Sequence, residues 1–372
     1  MFIKEEKLKN NPQNIVVSSK GGFKRTRYEL DGLIKNELQL PITVDEIKLL
    51  IDKIDVKNFL VSANSENKEQ TMTNIETEDD IVQDNYMPDL SFVNVKHANL
   101  IINNGNWNEL TFGNINADMS LIDNILKIKS NRFDIAQGYS GLQAECDLNN
   151  LKYDLKLGVK DIDSNLMAKT LFNLDKEISG KASGLMHLYT DKTMKLNGDI
   201  KFFIKEGTIG KIGLVEYILK IASLFRNPIV MVNPAIIMDI ISVPEGRFDK
   251  ITGELNIKNN VVNKIDIKSY SNTLSVLIRG RFDMERHDAS MRIYTRFSNQ
   301  KKSMFGFLRK ISLSTLANKI RMNSKNDENY YSMELKDLPQ IDTEEEKTQI
   351  FLTQIEGDIE NNNFISTLKK IK

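Results

Sequence analysis

Between Ile178 and Phe297 the sequence repeats one kind of unit, an extended segment that alternates apolar and polar residues and ends at a Gly or an Asn. The clearest stretch places its alternating apolar residues at Leu255, Ile257, Ile265, Ile267, Leu274, Val276 and Ile278. Residues two apart on a strand share a face, so each segment has one apolar and one polar face. Such strands form a sheet with a continuous apolar surface, and the function depends on whether a second sheet, a helix or lipid acyl chains cover that surface.

The composition excludes some classes of protein. The chain has 372 residues, with 51 basic and 51 acidic side chains, so no net charge attracts it to nucleic acid or to an anionic surface. Cys146 is the single cysteine, which excludes a scaffold held by intrachain disulfides. We therefore expect no nucleic-acid partner.

Signals for membrane insertion are weak. The first ten residues are charged and lack the apolar core of a secretory signal. The longest apolar candidate, 209–225, is interrupted by Lys211, Glu216 and Lys220, whereas a membrane span needs about 20 mostly apolar residues. The sequence predicts a soluble chain, or one separated from the part that carried its anchor.

Residues 1–62 are predicted to form a strand–helix–strand portion. Residues 1–27 look polar and irregular, and a strand is expected over 28–40. Thr43 and Glu46 have the spacing of a capping box, so a helix is predicted from Thr43 to Ile54. A second strand is predicted over 56–61.

The segment 63–88 is predicted to be a flexible acidic loop. It carries many Asp and Glu residues against the single base Lys68 and has few large apolar residues. The alternative is a cation-binding loop, but the glycine and the regular ligand spacing of a calcium loop are absent.

Residues 89–299 are predicted to form the main β-sheet region. Strands are expected at 90–95 and 98–102, followed by a hairpin turn at Asn104 and Gly105, because Asn-Gly between apolar runs is a strong turn signal. Further strands follow through Leu157, and a short helix is predicted over 166–171. A second helix is predicted over 209–225, with apolar residues on more than half of its circumference.

Charge is segregated near the end of the chain. Residues 300–326 are basic, and within them 305–322 can form an amphipathic helix. Its candidate contacts with anionic head groups are Arg309, Lys310, Lys319 and Arg321. The alternative is a solvated face that packs one apolar stripe on the end of the sheet. Residues 327–372 are acidic and are predicted to form strands, the last at 349–359.

The residue patterns of common catalytic and metal sites are absent from the sequence. His97, His187 and His287 lie far apart, without the spacing of metal ligands. There is no phosphate loop, dinucleotide fingerprint or nucleophile elbow. We therefore predict no catalytic residue, no metal site and no cofactor, and an enzyme is the weaker class.

Several Gly, Asp and aliphatic positions occur in a distinctive order. The first group comprises Ile178, Ser179, Gly180, Gly184, Gly198, Ile200, Ile204, Gly207, Ile209 and Gly210. Three later groups lie at 246–257, 278–283 and 355–359. In this order they resemble the C-terminal region of the AsmA family of bacterial envelope proteins, with one departure: Gly210 follows Ile209 directly. Weaker similarity extends back to about residue 90.

The resemblance implies an elongated, curved antiparallel sheet with an apolar concave face. It also implies a protein of the periplasm, associated with the inner membrane, that holds or conducts phospholipid between the inner and outer membranes. Family members usually begin with an inner-membrane helix, which this sequence does not show. Phospholipid is therefore the expected partner, a membrane surface is a further one, and protein partners in the envelope are not specified.

The candidate lipid-groove residues follow from the alternation and the resemblance together. They are Phe202, Ile204, Leu255, Ile257, Ile265, Ile267, Leu274, Val276 and Ile278. The alternative is that these side chains fill a closed sandwich or barrel core, because any half-buried sheet alternates in this way. A scaffold that affects envelope assembly without carrying lipid is the second hypothesis, and a β-rich hydrolase is the third.

Overall fold

Strands dominate this protein. The structure is a computed structural model and describes residues 2–4, 14–23, 26–35, 40–56, 90–172, 178–209, 246–272, 274–298, 321–322, 331–342, 348–358 and 363–372. Of these residues 77% lie in strands and 5% in helices, which confirms the predicted mostly β fold with a few helices. The chain forms two compact units, Met1–Leu157 (unit 1) and Gly158–Lys372 (unit 2).

Unit 1 is a sheet of consecutive strands. They are β1 (Phe2–Lys4), β2 (Asn14–Phe23), β3 (Thr26–Lys35), β4 (Ile42–Asp55), β5 (Val93–Trp107), β6 (Leu110–Ile122), β7 (Ile125–Ile135), β8 (Gly138–Asp147) and β9 (Lys152–Asp163), which continues into unit 2. From β1 to β8 each strand pairs with the next, and the pairs are antiparallel except β4 and β5, which are parallel. The segment that connects β4 to β5, with the predicted acidic loop 63–88, lies outside the described residues.

The predicted helix from Thr43 to Ile54 is wrong, because this segment is strand β4. Ile47, Leu49 and Ile51 alternate along it. Leu49 pairs with an apolar residue on each side, Leu30 of β3 and Leu100 of β5. The capping box at Thr43 is a local signal, and pairing along both edges of a central strand overrides it.

The predicted hairpin turn at Asn104 and Gly105 is also wrong. Strand β5 continues to Trp107, and the turn into β6 lies at Asn108, whose φ is +55°. The two strands predicted over 90–102 are one strand with a register shift between Val95 and Ala98. Gly105 fits within the strand because the Phe112 ring, on the neighbouring strand, fills the space beside it where a side chain would lie. A Cβ on Gly105 would lie 2.1 Å from that ring.

Sequence reasoning missed strand β2, because it treated residues 1–27 as irregular. Gly21 and Gly22 weaken the β signal of this segment. Pairing with β3 along its whole length, from Asn14 opposite Lys35 to Phe23 opposite Thr26, supplies the hydrogen bonds that local propensity does not.

Unit 2 contains helix α1 and a second run of strands. They are α1 (Ser164–Phe172), β10 (Lys181–Thr190), β11 (Leu196–Ile209), β12 (Gly246–Lys258), β13 (Val261–Tyr270), β14 (Leu274–Asp283), β15 (Asp288–Ser298), β16 (Arg321–Met322), α2 (Ser332–Leu335), β17 (Thr348–Asp358) and β18 (Asn363–Lys370). The strands from β10 to β15 pair antiparallel in chain order, β17 joins beside β15, and β18 pairs with β17. Strand β16 pairs with β18 in parallel.

The predicted short helix at 166–171 is confirmed by α1, and the predicted strand at 349–359 by β17. Asp163 caps α1, because its carboxylate accepts backbone hydrogen bonds from Asn165 and Leu166 at 3.0 and 3.1 Å. The predicted strand 56–61, helix 209–225 and basic helix 300–326 fall almost entirely outside the described residues. Where they overlap, Ile209 ends strand β11 and Arg321–Met322 is strand β16, so neither position is helical.

The contact between Gly105 and Phe112 can be tested by a double-mutant cycle. We expect Gly105→Ala to lower the free energy of unfolding by about 1–2 kcal/mol, because the new Cβ displaces the Phe112 ring. In a Phe112→Ala background the same substitution should cost little, since alanine suits a strand better than glycine. Urea unfolding of the four proteins measures the coupling, and additive effects would contradict the contact.

Candidate functional site

All nine candidate groove residues lie on one face of the sheet in unit 2, which we call the apolar face. The register places Gly253 opposite Ile267, Ile267 opposite Ile278, and Ile278 opposite Ile293. Residues two apart on each strand share that face. Its large members include Leu188, Ile200, Phe202, Ile204, Ile251, Leu255, Ile257, Val262, Ile265, Ile267, Leu274, Val276, Ile278, Phe282, Met291, Ile293 and Ile355.

Protein atoms cover most of this face. Seven of the nine candidates are at most 3% exposed, whereas Phe202 and Leu274 are half-buried. Sequence reasoning missed several equally buried members, among them Ile251 and Met291. The signal for Ile251 was present, since it lies two and four residues before Gly253 and Leu255, but the glycine interrupted the alternation.

Phe202 lies against glycine backbone on both sides. The register places it opposite Gly184 of β10 and Gly253 of β12. A Cβ on Gly253 would lie 2.3 Å from the Phe202 ring, and one on Gly184 would lie 3.1 Å from the Phe202 Cβ. The ring therefore extends over β12 and occupies the place of a side chain that Gly253 lacks.

The other face of the sheet in unit 2, the polar face, carries charged residues in register. One cross-strand row runs from Asp266 through Arg279 and Arg292 to Gln354. Arg279 forms an ion pair with Asp266 at 3.2 Å. This row lines an open cleft of about 630 Å³, together with Lys264, Arg281, Ser290 and Glu356.

The segment 331–342 covers the polar face over β14, β15 and β17, and we call it the strap. An apolar cluster joins the two, formed by Leu338 of the strap with Leu277, Tyr294, Ile350 and Leu352 of the sheet. Polar contacts hold the strap in register. The Arg296 guanidinium donates to the Pro339 carbonyl at 3.0 Å, the Ser275 hydroxyl donates to the same carbonyl, and the Asp342 backbone N–H donates to the Asn272 carbonyl at 3.1 Å.

Acidic residues of the strap compensate the bases beneath it. Glu334 pairs with Arg292 at 2.7 Å and accepts a hydrogen bond from the Tyr294 hydroxyl. Burial and the neighbouring Glu334 raise the pKa of Tyr294 well above its ordinary value. Asp337 pairs with Arg279, and the hydrogen bond from that guanidinium, together with its charge and that of Lys268, holds the pKa of Asp337 below its ordinary value of 3.8.

The four candidate residues for a membrane surface are not brought together by the described structure. Arg309, Lys310 and Lys319 lie outside the described residues. Arg321 lies in β16, where its backbone position is opposite Lys369 of β18. The predicted helix therefore cannot extend to Met322 as the sequence suggested.

The described ranges contain no further candidate for a metal site or a membrane span. No three His, Cys, Asp or Glu side chains there are grouped closely enough to hold a metal ion. Over the same residues, no helix is both long and apolar enough to cross a bilayer.

No protein-family model, no curated protein and no solved structure matches this chain. The resemblance to the AsmA family, which depends on the order of Gly, Asp and aliphatic positions, therefore stays a prediction.

The pH dependence of stability tests the ion pairs of the strap. A carboxyl whose pKa is lowered by folding stabilises the folded state above its ordinary pKa of 3.8, and this contribution is lost as the pH falls through the lowered value. We expect Asp337→Asn to lower the free energy of unfolding at neutral pH and to reduce the loss of stability between about pH 5 and about pH 3.

Urea unfolding at several pH values measures this effect. The matched control is Asp123→Asn, which removes a carboxylate from the exposed turn between β6 and β7, where the positive φ of +52° suits asparagine. An identical pH profile for wild type and Asp337→Asn would contradict the role given to Asp337.

Proposed function

We propose that unit 2 holds phospholipid by placing acyl chains along the apolar face. The observation that carries the proposal is the continuity of this face, because the register joins its aliphatic side chains across seven strands, from β10 to β15 and then β17. With the AsmA resemblance, this supports a role in the bacterial envelope, in the periplasm at the inner membrane, where the protein holds or conducts phospholipid toward the outer membrane.

The dimensions of the face suit an acyl chain. Six steps of about 4.8 Å between strands span roughly 29 Å. A bilayer core of about 30 Å contains two acyl chains end to end, so one chain needs roughly 15 Å. Exposing a chain of about 16 carbons to water costs on the order of 12 kcal/mol, and an apolar surface removes most of that cost without any chemical step.

Uptake of lipid requires a change of packing. Val276 and Ile278 are at most 2% exposed, so an acyl chain must replace the protein atoms that cover them. One apolar contact is then exchanged for another, which keeps the net cost small. The polar head group stays in water at the margin of the sheet, and no catalytic residue is needed.

A second candidate is a scaffold that affects envelope assembly and carries no lipid. The same burial favours it, since a face whose side chains are almost wholly covered can serve as a closed core. The two candidates differ in whether lipid ever replaces the covering atoms.

Native mass spectrometry with lipid extraction distinguishes them. The full chain is purified without added detergent, and its mass is measured in the native state. The lipids extracted from the same sample are then identified. Phospholipid bound at a reproducible stoichiometry supports lipid holding. A folded protein without lipid, which also takes up none from vesicles, contradicts it and favours the scaffold.

Substitutions on the apolar face sharpen this test. Val276→Asp places a carboxylate among buried aliphatic side chains, and we expect it to abolish lipid binding and to cost several kcal/mol of stability. Leu274→Gln is the informative variant, because Leu274 is half-buried and can change with a stability loss of about 1 kcal/mol. We expect it to reduce bound phospholipid while the protein stays folded.

The control is Met333→Gln, which changes an exposed methionine of helix α2. It should keep both the fold and the bound lipid. Equal lipid content in the Leu274→Gln protein and wild type would contradict an acyl chain on this face.

A further inference from the structure

Three lysines lie directly opposite one another on adjacent strands of the polar face. The register places Lys181 of β10 opposite Lys205 of β11, and Lys205 opposite Lys250 of β12. Like charges in such cross-strand positions, with Cβ atoms about 5 Å apart, are destabilising. Among the described residues, the strand order therefore concentrates positive charge at a cost to the fold.

Two of these lysines lie next to aromatic rings and not next to carboxylates. The Lys205 ammonium lies 5.4 Å from the centre of the Phe203 ring, and the Lys250 ammonium lies 5.9 Å from that of Tyr270. Both lysines are exposed, and within the described part of the chain no carboxylate lies at ion-pair distance from either. Their charge is available to an anionic partner.

Exposed apolar side chains share this part of the polar face. Leu185 is 70% exposed and Tyr189 is 39% exposed. Leu185 lies opposite Lys201, and Phe203 occupies the row between Leu185 and the three lysines. We call this region, formed by the polar-face residues of β10, β11 and β12, the lysine–aromatic surface.

The charge balance of this surface is positive. Its cross-strand rows from Lys181 to Tyr189 hold four lysines against two acids, Asp199 and Glu254. Beside them on β9, the Asp161 carboxylate accepts a hydrogen bond from the Ser183 hydroxyl at 3.5 Å. Glu254 is engaged by Lys264 at 2.9 Å and Lys201 at 3.5 Å. The part of the polar face over β14, β15 and β17 differs, because there the strap supplies Glu334 and Asp337 to the arginines and covers the apolar side chains.

We propose that the lysine–aromatic surface docks on an anionic lipid bilayer. Lysines near such a surface each add about 1 kcal/mol of attraction, and their aliphatic stems can lie along apolar groups while the ammonium stays in water. Tyrosine suits the head-group level, and an exposed leucine can enter the acyl boundary. An acidic protein partner would use the lysines but would gain little from Leu185, so the combination favours a membrane. This docking does not require lipid on the apolar face.

Flotation of the full chain with vesicles tests the proposal. Vesicles of phosphatidylcholine alone are compared with vesicles that contain about 30 mol% phosphatidylglycerol, at low and high salt. We expect binding to the anionic vesicles only. Since each lysine contributes about fivefold, the Lys205→Gln/Lys250→Gln protein should bind about 25-fold more weakly. Leu185→Ser should weaken binding about tenfold by removing the apolar contact.

The control is Lys53→Gln/Lys156→Gln, which removes two exposed lysines of unit 1 and should bind as wild type does. All variants must keep the wild-type circular dichroism spectrum. Absence of binding to anionic vesicles, or equal loss in the control, overturns the proposal. Tight binding to polyglutamate that is insensitive to Leu185→Ser overturns it in favour of an acidic protein partner. Because the readout is vesicle binding, a protein that extracts no lipid still gives a valid result here.

Discussion

The backbone register from β11 to β15 is the constraint on which both faces of unit 2 depend. One row joins Phe202, Gly253, Ile267, Ile278 and Ile293 across five strands. Because side chains alternate with a period of two, a shift of one residue in any of these pairs would bring charged side chains into the apolar face. The proposed site for acyl chains is therefore a consequence of the hydrogen bonding between these adjacent strands.

The same register also determines where charge collects. On one part of the polar face, Arg279 and Arg292 lie side by side, and the strap brings Asp337 and Glu334 to them. On another part, lysines lie side by side on three strands. The first arrangement is compensated within the chain. In the second, Lys205 and Lys250 have no carboxylate at ion-pair distance among the described residues, and an anionic partner can offset their repulsion. This contrast distinguishes a surface used for folding from one proposed for binding.

Local sequence signals succeeded where a segment's own pattern decides its structure. Alternation identified β11 to β14 and placed all nine groove candidates on one face. It failed at β4, where Ile47 and Ile51 fit both a helical and a strand spacing and the neighbouring strands β3 and β5 decided the outcome. It failed again at Gly105, since the ring that makes this glycine suitable for a strand belongs to Phe112 on the next strand.

The strap is the part of the fold that the sequence predicts least. Arg296 and Pro339 are more than forty residues apart in the chain, and no pattern in either segment indicates that they meet. Alternation of apolar and polar residues is a property of each strand by itself. The sequence alone therefore determined which side chains of a strand share a face, and that one of the two faces is apolar. Which strands become neighbours, what covers each face and which charges stay uncompensated depend on contacts between distant segments, and these were decided when the chain packed.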